Sequence, residues 1–252
     1  MTIELSEADK EDARRVIGVL APLVDGLAEA LFPRSEVVLH DLTRFPNTIA
    51  AIGGNITGRG VGGPPTDLGL RTFESGWNDH LIGYRTELSD GTPIRSSSLF
   101  LHGASGRAIA CLCINADVSE LAPAAEAVQR FLRPAVPSVA PIAAATLETE
   151  LPWRPAGAEG KATRTPPERF PRSVDELTRG LLREAIGELD IPVDLMQKRH
   201  RLEVVRNLRA RGFFAIRDAI ELLAETLGVT RHTVYNYLTE VAPESSRRRH
   251  TS

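Results

Sequence analysis

The stretch from Ile220 to Thr239 limits the possible folds of this chain more than any other. It reads Ile-Glu-Leu-Leu-Ala-Glu-Thr-Leu-Gly-Val-Thr-Arg-His-Thr-Val-Tyr-Asn-Tyr-Leu-Thr. Ala224 is small where two helices would cross closely, and Gly228 can take the left-handed conformation that ends a helix. Val229 can plug the crossing. Thr230 is a ready N-cap, and Val234 opens the apolar stripe of a second helix. Two helices joined by so short a turn cross steeply, which leaves the second free to enter a DNA major groove.

The outward side of that second helix supports the same reading. With Val234, Leu238 and Val241 inward, the outward set is Arg231, His232, Tyr235, Asn236 and Thr239. Arginine bonds guanine in bidentate fashion and asparagine does the same for adenine; His, Tyr and Thr suit phosphates or single base edges. The candidate DNA contacts are therefore Thr230, Arg231, His232, Thr233, Tyr235 and Asn236. Thr230 and Thr233, with the tail Arg247-Arg248-Arg249, are assigned to phosphates. One recognition helix reads only a few base pairs, so a homodimer or higher oligomer on a two-fold, double-stranded operator is expected. The rival reading is a helical hairpin that docks a protein partner.

Charge is distributed to match. The whole chain carries −3, yet from Met196 to Ser252 there are eleven Lys or Arg against six Asp or Glu. That local +5 leaves −8 for the remainder, so the basic end suits phosphate and the rest would be repelled by a duplex. At 252 residues the chain has room for two domains of ordinary size. Its start is charged, with no signal-peptide core, and no run approaches membrane-spanning length, so a cytoplasmic protein with no membrane partner is expected. Cys111 and Cys113 would share one strand face as small buried thiols. A bridge between them is geometrically unfavourable, and two thiols make a poor zinc site.

Upstream the chain reads as helix and strand in alternation. Ser6 to Leu31 is one amphipathic pattern, with Val16, Ile17, Leu20, Leu23, Val24, Leu27 and Leu31 as its stripe and a kink or break expected near Gly18 to Pro22. Glu36 to Leu42, Thr48 to Ile52, Arg95 to His102 and Arg107 to Asn115 follow strand grammar, with Gly103 to Gly106 as a hairpin loop and Asp90-Gly91 as a further turn. Thr66 to Trp77 reads as a short helix. Ser119 to Phe131 reads as a closing helix with Leu121, Ala125, Val128 and Leu132 inward. The expected class is α+β: an antiparallel sheet domain with flanking helices over 1–133, of the pattern of a small-molecule sensor, and an all-α domain over 173–252. Between them, 134–172 holds eight prolines and reads as a spacer. Ser173 to Glu176 is a capping box opening a helix to about Leu189; a further helix is expected from Pro192 to Arg211, with Leu195, Leu202, Val205 and Leu208 inward, and Arg217 to Leu227 precedes the turn.

Several motifs then carry a resemblance. In the first domain they are Val37-Val38-Leu39-His40-Asp41-Leu42, Ile56-Thr57-Gly58-Arg59 with Val61-Gly62, Arg95-Ser96-Ser97-Ser98-Leu99-Phe100, and Cys111-Leu112-Cys113-Ile114-Asn115. In the second they are Gly212-Phe213-Phe214, Ala219 to Leu227, and Thr233-Val234-Tyr235 with Tyr237-Leu238. In this order the chain resembles bacterial regulators that join a YheO-type PAS-like sensor to a DauR-type helix-turn-helix. The resemblance implies a transcriptional regulator whose PAS-like domain senses a signal.

A signal site is read from the residues around the glycine-rich loop. Arg59 could hold a carboxylate while glycine amides approach it, with Asn55, Thr57, Asp67, Ser96, Ser98 and Asn115 supplying polar contacts. Ser96 and Ser98 share one strand face. The effector class is a small metabolite, an amino acid being one candidate. The competing view makes the glycines turns and pairs Arg59 with a surface acid. A dinucleotide site is disfavoured, because Pro64-Pro65 follows Gly58-Arg-Gly-Val-Gly-Gly at once and no parallel crossover unit is present. No cofactor motif or metal spacing is seen. Catalysis is disfavoured too, since His40 and Asp41 would point to opposite faces and no nucleophile elbow exists.

Overall fold

The computed structural model describes residues 5–75, 79–121 and 168–241, together with positions 123, 124, 127, 128 and 131. Two α-helices open the chain, α1 (Glu7–Leu20) and α2 (Val24–Ala30), separated by a 3-10 turn over Ala21–Leu23. Ser6 caps α1: its hydroxyl accepts from the Asp9 amide, and the Asp9 carboxylate accepts from the Ser6 amide in return. The break falls where Pro22 requires it, since a proline ring cannot continue the helical ladder.

That break also changes the phase of the stripe. Val24 and Ala28 are buried against the sheet with Ile17, Leu20 and Ala21, whereas Leu23, Leu27 and Leu31 are exposed. The single seven-residue stripe read from the sequence is thus divided, because α2 is rotated relative to α1 after the 3-10 turn.

Among the described residues five strands follow: β1 (Ser35–Asp41), β2 (Ile49–Gly53), β3 (Leu81–Glu87), β4 (Pro93–His102) and β5 (Ala108–Asp117). They form one antiparallel sheet in the order β2-β1-β5-β4-β3. Helix α3 (Asp67–Ser75) lies between β2 and β3 in the chain, and the Thr66 hydroxyl caps its start by accepting from the Gly69 amide. Position 77, the expected end of this helix, lies outside the described residues. β3 was not legible as a strand. Gly83 interrupts it at positive φ and the register shifts between Leu81 and Tyr84, a bulge in a run that shows no clean alternation.

The interior strand β1, flanked by β2 and β5, is buried along its whole length, although only Val37, Val38 and Leu39 of its seven residues are apolar. Alternation sends Val37 and Leu39 to the face covered by α1 and α2, with Leu112 and Ile114 of β5. The opposite face carries the polar residues. Of the closing helix expected over 119–131, positions 123, 124, 127, 128 and 131 are helical, but Leu121, Val128 and Phe131 are exposed. Leu121 and Val128 therefore face outward; Ala125 and Leu132 lie outside the described residues. Among the described residues, no helix is long and apolar enough to cross a membrane.

Among the described residues, the C-terminal unit holds four α-helices, α4 (Val174–Gly187), α5 (Lys198–Ala210), α6 (Ala219–Thr226) and α7 (Arg231–Glu240). Ser173 accepts from the Glu176 amide as expected, but the Glu176 carboxylate reaches the Arg172 amide instead of closing a box on Ser173. The helix expected to begin at Pro192 is a 3-10 turn over Val193–Leu195 followed by α5 capped at Gln197. Leu195 consequently points to solvent, because it sits in the turn and outside the helical phase that buries Val204, Val205 and Leu208. These residues pack with Phe213, Leu223, Leu227 and Val234 into one core. Leu70 of α3, fully buried, is part of that same cluster.

Candidate functional site

Two candidate sites emerge, one on the polar face of the sheet and one on α7. On the sheet, register places three rows side by side. Glu36, Asn115 and Ser96 form the first; Val38, Cys113 and Ser98 the second; His40, Cys111 and Phe100 the third. Period-two alternation on three neighbouring strands is all this requires.

The first row is tied together. Glu36 is fully buried, and its carboxylate accepts from the backbone amides of Ile56 (3.0 Å) and Thr57 (2.9 Å), from the Thr57 hydroxyl (2.9 Å) and from Asn115 Nδ2 (3.3 Å). Ser96 donates to Asn115 Oδ1 at 2.9 Å. Arg59, with its side chain buried, donates from Nε to the Thr57 hydroxyl at 3.0 Å and lies 3.4 Å from Glu36 through Nη2. Its guanidinium also sits over the Phe170 ring, 5.2 Å from the centroid. Amides of the glycine-rich region do cradle a carboxylate, but the carboxylate is the chain's own Glu36. The glycines themselves make turns: Gly62 donates to Ile49 O and Ile49 donates to Gly63 O, which returns the loop to the edge of β2.

The other two rows floor a cavity of about 40 Å³ whose walls come from α3, from β3 and from the segment Glu168–Phe170. Tyr84 shares a hydrogen bond with Ser98 (3.2 Å), and His40 Nδ1 bonds the Thr48 hydroxyl (2.8 Å). Cys111 and Cys113 are free thiols with sulfurs 3.7 Å apart. Glu168 projects into this space; its Oε1 accepts from Thr66 Oγ1 at 2.7 Å, and burial pushes its carboxyl up to about 7. Asp67 accepts from the Arg169 amide at 2.8 Å, and burial raises its carboxyl as well. Among the described residues, Arg59 Nη1 and Glu168 Oε2 are buried without a hydrogen-bond partner.

Of the residues read as ligand contacts, Thr57, Arg59, Ser96 and Asn115 meet around Glu36, and Ser98 lines the cavity with Arg59 and Asn115. Asp67 lies beside the docked segment. Asn55 is exposed, with its carbonyl accepting from Arg34, and does not join them. Sequence reading missed Glu36, Thr66, Tyr84, Glu168 and Phe170. A lone carboxylate inside a β-branched run was the available signal for Glu36, while Glu168 and Phe170 lie in a stretch that reads as spacer.

The second site is built by α6, the turn and α7. Gly228 is left-handed at φ 61°, and the Val229 amide donates back to Ala224 O at 2.9 Å, closing α6. Thr230 caps α7 by accepting from the Thr233 amide at 3.2 Å. Val234 is fully buried and Tyr237 nearly so, which turns the opposite side outward. Arg231, His232, Tyr235, Asn236 and Thr239 are all exposed, and Thr233 is half-buried. Arg231 reaches back to Glu221 of α6 at 2.9 Å. The tail Arg247–Arg249 lies outside the described residues. Thr230→Ala should cost about 1 kcal/mol in a urea titration, the usual worth of an N-cap, and Thr230→Ser should restore it. Equal urea midpoints for the parent and the Thr230→Ala variant would show that the cap contributes nothing.

Comparison with known proteins covers both sites. Residues 10–133 match a YheO-like PAS domain and 177–239 match an HTH domain. The chain is 29% identical over 221 residues to the transcriptional regulator DauR of Pseudomonas aeruginosa, spanning 87% of this chain and 91% of the relative. It is 28% identical over 249 residues to YheO of Escherichia coli K12, spanning 94% and 92%. A Haemophilus influenzae protein is 26% identical over 246 residues, spanning 97% and 99%.

Proposed function

Because the chain joins a YheO-like PAS domain to an HTH domain and is related to a transcriptional regulator along most of its length, we propose that it is a DNA-binding transcriptional regulator governed by a small metabolite. The observation that carries the DNA half is the exposed ridge Arg231, His232, Tyr235 and Asn236 on a helix anchored by Val234 and Tyr237. Donors that suit guanine and adenine edges stand on one side of a helix whose other side is core. Thr230 and Thr233, at the start of that helix, are placed for phosphates, where the helix dipole also favours negative charge. The regulator binds as a dimer, since a single helix covers too few base pairs.

The sheet domain supplies the sensing half. Thr57, Arg59, Ser96, Ser98 and Asn115 gather on its polar face over a small cavity, and Asp67 anchors the chain that borders it. Buried polar groups of this density suit recognition of a small polar effector. The proposed domains are 1–133 for sensing and 173–252 for DNA.

Selection from a pool of randomised duplex DNA tests the reading. A bound site with two half-sites about 10 bp apart is expected. Affinity for that site should fall by roughly 10³-fold or more between 50 and 200 mM salt, as counterion release dictates for several phosphate contacts. If no duplex is enriched, and α7 instead captures a protein at an affinity indifferent to salt, the helical end is a protein-docking surface.

A further inference from the structure

We propose that Glu168–Arg172 is a built-in occupant of the sensor cavity, and that a small carboxylic acid acts on this regulator by taking the place of the Glu168 side chain. This rests on the sensing half of the reading above and names its ligand class and its mode of control.

Size is the first argument. With the segment docked, the cavity measures about 40 Å³, and since roughly 10–15 Å³ of such space holds one water, only a few waters fit. Metabolite pockets are roughly 300 Å³ and larger. An effector therefore enters this space only when the Glu168 and Phe170 side chains leave it.

Chemistry is the second. Glu168 is a carboxyl on a tether, held by the Thr66 hydroxyl at 2.7 Å and lining the same cavity as Arg59. Its second oxygen and the Arg59 Nη1 are both buried and unpartnered among the described residues, so the fit is incomplete. A free carboxylate can take the Thr66 hydroxyl and turn toward Nη1 without a chain constraining it. Leu42, Leu68, Leu81 and Phe100 give its hydrocarbon part an apolar wall.

Connection is the third. Arg169 donates its amide to Asp67 at the start of α3 and pairs its side chain with Glu184 of α4 at 2.6 Å. Ser173, the cap of α4, follows directly. On α3 itself, Leu68, Gly69 and Thr72 line the cavity while Leu70 is buried in the helical core. Whatever empties the cavity of Glu168 thus loosens the joint between sensor and DNA-reading unit. A ligand shifts such an equilibrium only through its preference for one state; here the docked state leaves it no room, so the preference is large.

The docked carboxyl is raised by burial and by the neighbouring Cys113 and Asp67, against Thr66 and Arg59; Tyr84 also faces it. A carboxyl raised in the docked state favours docking most fully below its ordinary value, and that preference is lost as pH rises through about 7. The plug is easiest to pull near and above neutrality.

Hydrogen exchange and calorimetry on the full chain test this, with acetate, propionate and glycine as probes. Propionate or another of these probes should speed exchange of the amides over 169–172 in the unmodified protein. Glu168→Ala should bind that probe at least tenfold more tightly, while Glu168→Gln, which keeps an uncharged plug, should bind no more tightly. Thr66→Val, which removes the hydroxyl that holds Glu168 and leaves the plug's own residues unchanged, should speed exchange over 169–172 with no probe present. Equal affinity in the unmodified and Glu168→Ala proteins, or probe binding that leaves 169–172 protected, overturns the proposal. So does the absence of binding by all three probes in Glu168→Ala. DNA binding measured on the same samples keeps the two readings apart: its loss in every form removes the regulator, and its retention without plug displacement removes only the plug.

Discussion

Glu36→Ala should lower the melting temperature of the sheet domain by 10 °C or more, a loss of about 3–5 kcal/mol. Glu36 is the buried acceptor for two backbone amides, the Thr57 hydroxyl and Asn115, and it is the charge partner of Arg59. Removing it leaves those donors facing one another around an uncompensated guanidinium whose side chain is almost wholly out of water. The cost is dominated by what is stranded, since breaking a buried pair is far worse than never having had one. That logic gives a second, sharper result. Glu36→Ala combined with Arg59→Met should be markedly less damaging than the sum of the two single changes, because the stranded charge is gone. Glu36→Gln should also be severe, since an amide nitrogen then points at backbone donors. A Glu36→Ala protein that melts with the parent would mean this network supports nothing.

This network also shows where the sequence was readable and where it was not. Alternation along β1, β4 and β5 was enough to put Ser96 and Ser98 on one face and to separate His40 from Asp41, because a strand has only two faces. The turn at Gly228 was readable because a short link between helices admits few residue choices, and Ala224, Gly228, Thr230 and Val234 each answer one local demand. For Arg59 the sequence leaves two partners open, a ligand carboxylate or a surface acid, and the acid that the fold brings to it is a buried one. Its carboxylate comes from Glu36, some twenty residues upstream, and no local pattern announces a pairing across a sheet. Leu23, Leu27 and Leu195 were assigned inward by a periodicity that the Pro22 break and the Gln197 cap reset. Glu168 and Phe170 were hidden by composition: proline-rich chain carries no helical or strand period, so its packing depends on contacts with Thr66, Asp67 and Arg59 about a hundred residues away. Tertiary contact of this kind leaves no trace in local propensity.

The second large effect is expected on DNA. Asn236→Ala should reduce affinity for the selected operator by about 5- to 150-fold, the 1–3 kcal/mol that one bidentate base contact discriminates. The loss should concentrate at one base pair of each half-site, where the variant accepts substitutions that the parent refuses. Because Asn236 is exposed and makes no contribution to the Val234 and Tyr237 core, its melting curve should not move. A phosphate-binding side chain behaves differently. Arg248→Ala, in the basic tail, should weaken every duplex alike and lower the salt slope by about one for each phosphate left without its cation. Glu221 supplies a change of opposite sign. It holds Arg231 at 2.9 Å in the free protein and puts a negative charge beside the approaching backbone. Glu221→Ala should therefore raise affinity, since Arg231 is released and a repulsion is removed. If Asn236→Ala and Arg248→Ala shift all duplexes equally, base reading does not reside on this ridge. If Glu221→Ala weakens binding, then the Arg231 pair is what presents the ridge to DNA, and α7 must be read as prepositioned by its own acid.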